Sequence, residues 1–263
     1  WLGRKAPPQE CLACESCGRA ALFLLEIYAP LDDAAFHRAL YVFWCSRCET
    51  RVRVLRNQLP RRNDCYPFDD DDDDVPPPPS SHEPSGVCAR RFEVVVEAEP
   101  PEEDLGRKVV TTSEPRFAPD ADLDAETTQE ALNDAAGAAQ PPDETTLRFL
   151  ARVAREPAQV LRYHRGGRPL WISPRRRTHR VPPCPRCGGP RAFEFQIMPQ
   201  LLHFLGVDSD LDPCSLGDLN FGTVLVFTCA ASCDVGQDFA TEFALVQPPL
   251  DDHPQLEPLA FRK

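Results

Sequence analysis

The chain has 263 residues, of which 42% are hydrophobic, and its net charge is −12. Its length allows one large or two small domains, its 29 prolines argue against long unbroken helices, and it has no run of about 18 apolar residues that would span a membrane. Residues 63–143 hold 22 acids and 5 bases, whereas residues 1–62 carry +4 and residues 144–263 carry +1. This distribution disfavours binding to a nucleic-acid backbone, which requires clustered positive charge.

The first 62 residues contain two C-x2-C pairs, separated by apolar alternation that predicts strands, for example at Phe23, Leu25 and Ile27. A structural zinc ion takes four thiolates in a tetrahedron, and each short pair supplies two sulfur atoms for this geometry. Residues 1–62 are therefore predicted to form a first zinc-bound β module. Its proposed ligands are Cys14, Cys17, Cys45 and Cys48.

The acidic middle of the chain is predicted to be largely flexible. The run Asp69–Asp74 and the prolines after it indicate an acidic, proline-rich loop at residues 63–91, because this composition buries too little apolar surface to fold. Alternation in FEVVVEAE predicts that residues 92–99 form a strand joining the core. Residues 100–143 are expected to be a second acidic linker.

Residues 144–167 are predicted to form a helical segment. Asp143 is expected to be its N-cap, and apolar residues that include Leu147 and Leu150 would lie on one face. Pro157 is expected to break the helix and to open a second turn after it.

Residues 168–263 are predicted to form a second zinc-bound β module, which begins with a short strand at residues 168–173. Residues 223–228 are apolar through their centre, which is typical of a strand buried on both faces. The second set of proposed zinc ligands is Cys184, Cys187, Cys229 and Cys233. Its last two members are separated by three residues instead of two.

The two modules are similar to each other. Residues 14–31 align without a gap with residues 184–201, and residues 40–48 align with residues 224–233. The shared order of knuckle, strands and second knuckle indicates an internal duplication, with an insertion around residues 206–220. The predicted fold is therefore α+β and mainly β, with duplicated zinc-ribbon-like modules packed as one pseudo-symmetric body, a short helical segment and a disordered acidic middle.

Four further cysteines are expected to be ordinary thiols. Cys11 would extend the first pair to a spacing known from iron–sulfur proteins, but its counterpart in the second copy is Val181. Cys65, Cys88 and Cys214 have no partner at ligand spacing, and free cysteines usually behave as small hydrophobic residues.

Catalysis is not expected from this sequence. All eight proposed ligands are thiolates, so neither zinc ion keeps an open position for water or substrate. The six histidines lack the spacing of a metal or base motif, and no phosphate loop or nucleophile elbow is present. The two zinc ions are predicted to be structural and to supply folding energy to small β units.

Eight segments of the chain resemble the programmed cell death protein 2 family, including its yeast ribosome-assembly member. They are LACESCG (12–18), FLLEIYAPL (23–31), AFHRALYVF (35–43), RVLRNQLPRRND (53–64), FEVVVEAE (92–99), QVLRYHRGGRPLWIS (159–173), FEFQIMPQLL (193–202) and VFTCAASC (226–233). The resemblance covers both ends of the chain. It departs at residues 75–91, where some members carry a MYND-type zinc finger and this chain has only Cys88.

The resemblance implies a dedicated chaperone for a basic small-subunit ribosomal protein, number two of the eukaryotic series, that supports small-subunit assembly. We accordingly expect a monomer when free, in the cytoplasm and nucleus, that contacts neither a membrane nor nucleic acid directly. The alternative is a zinc-containing adaptor associated with RNA or another nucleic acid. Its candidate contacts are Arg51, Arg53, Arg56, Arg61 and Arg62.

Overall fold

The computed structural model is mainly β. It describes residues 6–32, 34–45, 47–48, 52–65, 92–99, 143–174, 180–205, 219–236 and 238–250. Most of the predicted acidic loop and linker therefore lies outside the described residues. Within the described part of the chain, no helix has the length and apolar character needed to cross a membrane.

Seven antiparallel strands form one sheet in the order β1-β2-β3-β7-β6-β5-β4. The strands are β1 (Leu22–Tyr28), β2 (Phe36–Trp44), β3 (Val52–Pro60), β4 (Leu161–Tyr163), β5 (Arg191–Ile197), β6 (Thr223–Cys229) and β7 (Ala240–Gln247). The helices among the described residues are α1 (Gln9–Leu12), α2 (Glu144–Val153) and α3 (Gln200–Leu205). The first and second halves of the chain join where β3 pairs with β7 at Val54↔Glu242, Leu55↔Thr241 and Arg56↔Ala240.

The sheet is curled around a core shared by both halves. Leu40, Val42 and Trp44 of β2 belong to the same buried cluster as Val224 and Val226 of β6. Every residue of β6 is buried, which confirms the prediction of a strand covered on both faces. A fully buried aliphatic or aromatic side chain contributes about 1.5–3 kcal/mol, so this shared core holds the two halves together.

A buried ion pair shows how strongly the sheet curls. In a flat sheet, β2 and β5 would lie about 19 Å apart, because neighbouring strands are spaced by about 4.8 Å. Instead, the Arg38 guanidinium on β2 donates to both oxygens of Glu194 on β5, at 2.5 and 2.7 Å. Both side chains are fully buried. The two strands therefore face each other across the interior of the curled sheet.

Glu194 is held in its charged form by its neighbours. Burial alone would raise the pKa of its carboxyl, but Arg38 and the hydroxyls of Thr228 and Tyr163 outweigh burial and lower that pKa. Tyr163 donates to Glu194 at 2.9 Å, and Thr228 also donates to it. The Arg38 Nε atom donates to Ser232 Oγ at 3.0 Å, so the same arginine contacts the loop that follows β6.

The strand pattern of β5 differs from the sequence prediction. In the sequence, Phe193, Phe195 and Ile197 alternate with Glu194 and Gln196, a pattern that predicts a half-buried strand with its polar side chains towards solvent. The structure instead has a register irregularity between Phe193 and Phe195, which lie in different apolar clusters, and it buries Glu194 and Gln196 fully. An extra residue in one strand shifts the alternation that follows it, and Glu194 at this irregularity faces Arg38 across the interior. Gln196 lies on the other face, where its side chain forms hydrogen bonds with the backbone N–H and C=O of Leu170.

Helix α2 begins where the sequence predicted but is shorter than the predicted helical segment. The Asp143 carboxylate accepts hydrogen bonds from the Thr145 and Thr146 amides at 2.8 and 3.1 Å, which confirms the N-cap. Its buried apolar face packs against Ile172 and Met198 and comprises Phe149, Leu150 and Val153, whereas Leu147 is 41% exposed. The predicted helical segment at residues 144–167 is wrong beyond α2, because β4 follows and pairs with β5.

Two predicted strands are absent from the described residues. Residues 92–99 and 168–173 form no ladder with another strand, although both were predicted to do so. Val95 and Val96 are 72% and 92% exposed, while Glu99 contacts Arg152 and Arg162 at 3.0 and 3.6 Å. Alternation in the sequence indicates which side chains share a face of a strand. It does not show whether a neighbouring strand has a free edge for backbone pairing.

Replacing Glu194 with Gln is expected to destabilise the chain by about 3–5 kcal/mol, because the Arg38 charge would remain buried without its counterion. Urea unfolding of the metal-loaded protein measures this loss. The matched control is Glu144→Gln, whose exposed carboxylate should change the free energy of unfolding by no more than about 0.5 kcal/mol. A loss below about 1 kcal/mol for Glu194→Gln would contradict the assigned role of the pair.

Candidate metal centres

The first predicted quartet of cysteines comes together at one end of β2. The Sγ atoms of Cys14, Cys17, Cys45 and Cys48 all lie within 4.8 Å of one another. Cys17 Sγ and Cys45 Sγ are 3.5 Å apart. Cys45 directly follows the last residue of β2, so the strand itself fixes the position of the second pair.

The first knuckle has a backbone geometry that aims its two sulfurs at one point. The Cys14 N–H donates to Arg19 O at 2.7 Å, and the Gly18 N–H donates to Cys14 O at 2.8 Å. Gly18 adopts a φ of +70°, a conformation that residues with a side chain rarely adopt. The glycine after the knuckle is therefore required by the turn.

The second quartet repeats this arrangement. The Sγ atoms of Cys184, Cys187, Cys229 and Cys233 lie within 4.8 Å of one another. The Cys184–Cys233 and Cys187–Cys229 sulfur pairs are 3.8 and 3.6 Å apart. The Gly188 N–H donates to Cys184 O at 2.8 Å, and Gly188 has a φ of +71°, which matches Gly18 in the first knuckle.

The longer spacing in the second quartet is accommodated at Ser232. This residue has a φ of +44°, and its N–H donates to Cys229 O at 2.9 Å. The side-chain amide of Gln58 on β3 donates to Ser232 O at 2.9 Å, and Arg56 Nη1 donates to Cys233 O at 2.9 Å. Side chains from the first half of the chain therefore hold the second cysteine loop.

A second buried ion pair supports Arg56. Its Nε atom contacts Glu242 Oε1 at 2.7 Å, and Arg191 Nε contacts Glu242 Oε2 at 3.2 Å. Burial alone would lower the pKa of Arg56, but Glu242 and Cys233 outweigh burial and raise that pKa. A permanent positive charge thus lies against Cys233, and Arg56 Nη2 is 3.6 Å from its sulfur.

The sulfur spacing fits a four-coordinate metal ion and does not fit disulfides. Bonds of about 2.3 Å to a tetrahedral zinc place the ligand sulfurs about 3.8 Å apart, whereas a disulfide requires about 2.05 Å. All eight cysteines are free. Each quartet could hold a metal ion, and a set of four thiolates is consistent with zinc.

The thiol pKa values show why these quartets need a cation. Burial alone would raise the pKa of Cys14, but hydrogen bonds from the Ser16 and Cys17 backbone amides help lower it to about 7. Hydrogen bonding to Cys17, with burial next, raises the pKa of Cys48 to about 12. One thiolate therefore forms readily in this quartet, whereas ionising Cys48 beside it requires a bound positive ion, whose binding releases protons.

The second quartet shows the same contrast. Burial alone would raise the pKa of Cys184, but the backbone amides of Cys187 and Arg186 help lower it to about 7. Burial, followed by hydrogen bonding to Cys184, raises the pKa of Cys233 to about 12. Both centres thus have the same requirement for a cation.

A metal ion held by four thiolates has no position left for water or substrate, so these centres would support structure and not catalysis. Among the described residues, no third group of histidines, cysteines or carboxylates has metal-ligand geometry. Cys11 and Cys65 lie outside both quartets. Cys88 and Cys214 lie outside the described residues.

The arginines suggested for a nucleic-acid interface are largely engaged in the fold. Arg56 is fully buried in its ion pair with Glu242. Arg53 Nη1 donates to Ala13 O at 2.9 Å, and Arg61 Nε donates to Ala34 O at 3.3 Å. Sequence reasoning missed the structural role of Arg56, because strand alternation did not distinguish it from a solvent-facing position.

Models of the programmed cell death protein 2 family match both ends of the chain. Its N-terminal domain matches residues 1–73, and its C-terminal putative domain matches residues 143–248. Programmed cell death protein 2 of Bos taurus is 32% identical over 318 aligned residues, covering 94% of this chain and 88% of the relative. Because that span exceeds 263 residues, the bovine protein contains internal residues without a counterpart here.

Two partial relatives match shorter stretches. Mus musculus programmed cell death protein 2-like is 45% identical over 93 residues, covering 35% of this chain and 24% of the relative. A Schizosaccharomyces pombe protein named probable 20S rRNA accumulation protein 4 is 34% identical over 104 residues, with the same two coverages. No solved structure matches the chain.

Replacing Cys45 or Cys229 with Ser is expected to reduce the bound metal from two ions per chain to one and to unfold the loops of the affected quartet, because a structural thiolate centre supplies folding energy. Elemental analysis combined with thermal unfolding measures both effects. Cys65→Ser is the matched control, since this thiol belongs to neither quartet, and it should keep both ions. Native stability with two metal ions in Cys45→Ser and Cys229→Ser would refute the ligand assignment.

Proposed function

This chain belongs to the programmed cell death protein 2 family, and we propose that it is a non-catalytic escort for a basic small-subunit ribosomal protein, number two of the eukaryotic series. In this role it supports assembly of the small ribosomal subunit. The observation that carries the proposal is that both candidate metal centres consist of four thiolates. Such centres stabilise loops and leave the surrounding surface free to bind a protein.

The proposal includes two structural zinc ions and an internal duplication. Each quartet combines a glycine-closed knuckle with cysteines at the end of a central strand. Each half contributes three corresponding antiparallel strands, and the second half adds β4 as a fourth. The strand order is mirrored about the junction of β3 and β7. These features support two copies of one zinc-ribbon-like unit that share a core, so that the cofactor and the fold stabilise each other.

The ribosomal role is supported by a relative and by charge. The Schizosaccharomyces pombe relative is named for 20S rRNA accumulation. Residues 63–143 carry a charge of −17, which complements a basic client and would attract it over a distance of about one Debye length. We further propose that the free protein is a monomer, acts in the cytoplasm and nucleus, and contacts its client without binding nucleic acid.

Co-expression of the full chain with this ribosomal protein is expected to give a 1:1 complex in size-exclusion chromatography. The complex should persist when the salt concentration is raised from about 150 to about 500 mM. Salt weakens the attraction between exposed charges, but it does not weaken the apolar contacts of a partly apolar interface. Replacing Asp69–Asp74 with Asn should slow association at the lower salt without preventing the complex.

The absence of a complex at both salt concentrations would refute the proposed function. Binding of a single-stranded RNA at about 150 mM salt, without any protein partner, would support the adaptor alternative instead. The same chromatography with RNA in place of the ribosomal protein distinguishes the two outcomes.

A further inference from the structure

Strands β1 and β5 occupy equivalent positions in the two halves. Each pairs with its central strand and has one register irregularity, between Phe23 and Leu25 in β1 and between Phe193 and Phe195 in β5. Each also follows a cysteine knuckle that is closed by a glycine with positive φ. Residues 24–28 of β1 therefore correspond to residues 194–198 in and after β5.

The outer edges of these two strands differ. β4 covers the outer edge of β5, where Arg162 lies opposite Gln196, the Met198 N–H donates to Val160 O at 3.0 Å, and the His164 N–H donates to Glu194 O at 2.8 Å. β1 is the last strand at the other end of the sheet, and within the described residues no strand pairs with its outer edge. The first half thus lacks the covering strand that the second half has.

Side chains of β1 are more exposed than those at the equivalent positions of β5. Tyr28 is 53% exposed, whereas its counterpart Met198 is 1% exposed. Glu26 is exposed, whereas its counterpart Gln196 is fully buried. Ile27 is only partly buried against the shared core, although the corresponding isoleucine of β5 is fully buried. A long exposed edge with apolar neighbours is a site for pairing with another strand.

The backbone of β1 is oriented for such pairing. The Ala29 N–H donates to Arg38 O on β2 at 2.9 Å. Because backbone groups alternate in direction along an antiparallel strand, the amides of Glu26 and Tyr28 point away from β2. These are the groups with which an added strand would form hydrogen bonds.

The charge at the outer edge of β1 indicates which kind of segment can bind there as an added strand. Glu26 carries a negative charge where Gln196 is neutral, so the residue opposite it in an added strand should be Lys or Arg. A second copy paired at the same position would place Glu26 against Glu26, and the acidic stretch of residues 63–143 would place more carboxylates there. Like charges directly opposite destabilise a strand pair, which leaves a basic segment of another protein.

We propose that residues 24–28 of β1 bind an extended segment of the basic client as an added antiparallel strand, with a Lys or Arg opposite Glu26. This inference rests on the proposed function. β4 indicates the chemistry of the occupant, because Leu161 packs against the shared core while Arg162 lies opposite Gln196. The bound segment therefore alternates apolar and basic residues, and backbone hydrogen bonds supply part of its affinity.

The test measures binding of the full chain to the ribosomal protein with two β1 variants. Glu26→Pro removes the outward amide without breaking a hydrogen bond to β2, and Glu26→Lys reverses the charge. Both should weaken binding at least tenfold while keeping two metal ions per chain. Glu144→Lys, the same charge reversal at an exposed site on α2, should leave the affinity unchanged.

Hydrogen exchange of the wild-type complex provides a readout that does not depend on a variant. Exchange at the Glu26 and Tyr28 amides should slow at least tenfold when the ribosomal protein binds. A peptide of residues 159–166, which contains β4, serves as a second probe. It should shift the Glu26 and Tyr28 amides in NMR spectra of the wild-type chain and leave the Tyr28 amide of Glu26→Pro unshifted.

The outcomes separate this inference from the proposed function. Equal binding by all variants, with unchanged exchange in β1, would overturn the edge site and leave the escort function intact. If the wild type binds the peptide but not the ribosomal protein, the proposed function and this client are wrong, and β1 remains a strand acceptor. Binding of neither ligand overturns both.

Two further results would identify another occupant. Slow exchange at Glu26 and Tyr28 in the free monomer would show that a segment of this chain already covers the edge. Dimerisation that depends on protein concentration and is lost in Glu26→Pro would show that a second copy does so. Either result would overturn the assignment to the client.

Discussion

The buried guanidinium of Arg38 is the contact on which the rest of the structure depends. It binds both oxygens of Glu194 on the opposite strand and also donates to Ser232 in the second cysteine loop. Arg56 has a parallel role, because it contacts Glu242 and the carbonyl of Cys233. Two side chains of the first half thus fix both the curl of the sheet and the second metal centre.

This arrangement links metal binding, folding and function. Four thiolates form each quartet, so a bound ion stabilises the knuckles without taking part in chemistry. The stabilised sheet then holds its edge strands in fixed positions. The outer edge of β5 is covered by β4, whereas that of β1 has no paired strand in the described part of the chain. A binding role fits a rigid sheet whose end strand β1 has an outer edge without a paired strand in that part of the chain.

The sequence specified the local features well and the long-range ones poorly. Cysteine spacing, the glycines after both knuckles and the Asp143 cap follow from local chemistry, and the structure places the predicted ligands together. The inward turn of Glu194 depends on a strand irregularity that alternation cannot reveal. Residues 92–99 have a strand-like pattern but no strand edge beside them, because pairing depends on the whole fold.

X-ray absorption spectroscopy at the zinc edge of the purified full chain tests the central claim most directly. Two closed thiolate centres predict a single shell of four sulfur atoms at about 2.3 Å around each zinc, with two zinc ions per chain. A shell that includes nitrogen or oxygen, or a chain that contains iron in place of zinc, would contradict the account. In that case at least one centre would have a different ligand or an open position.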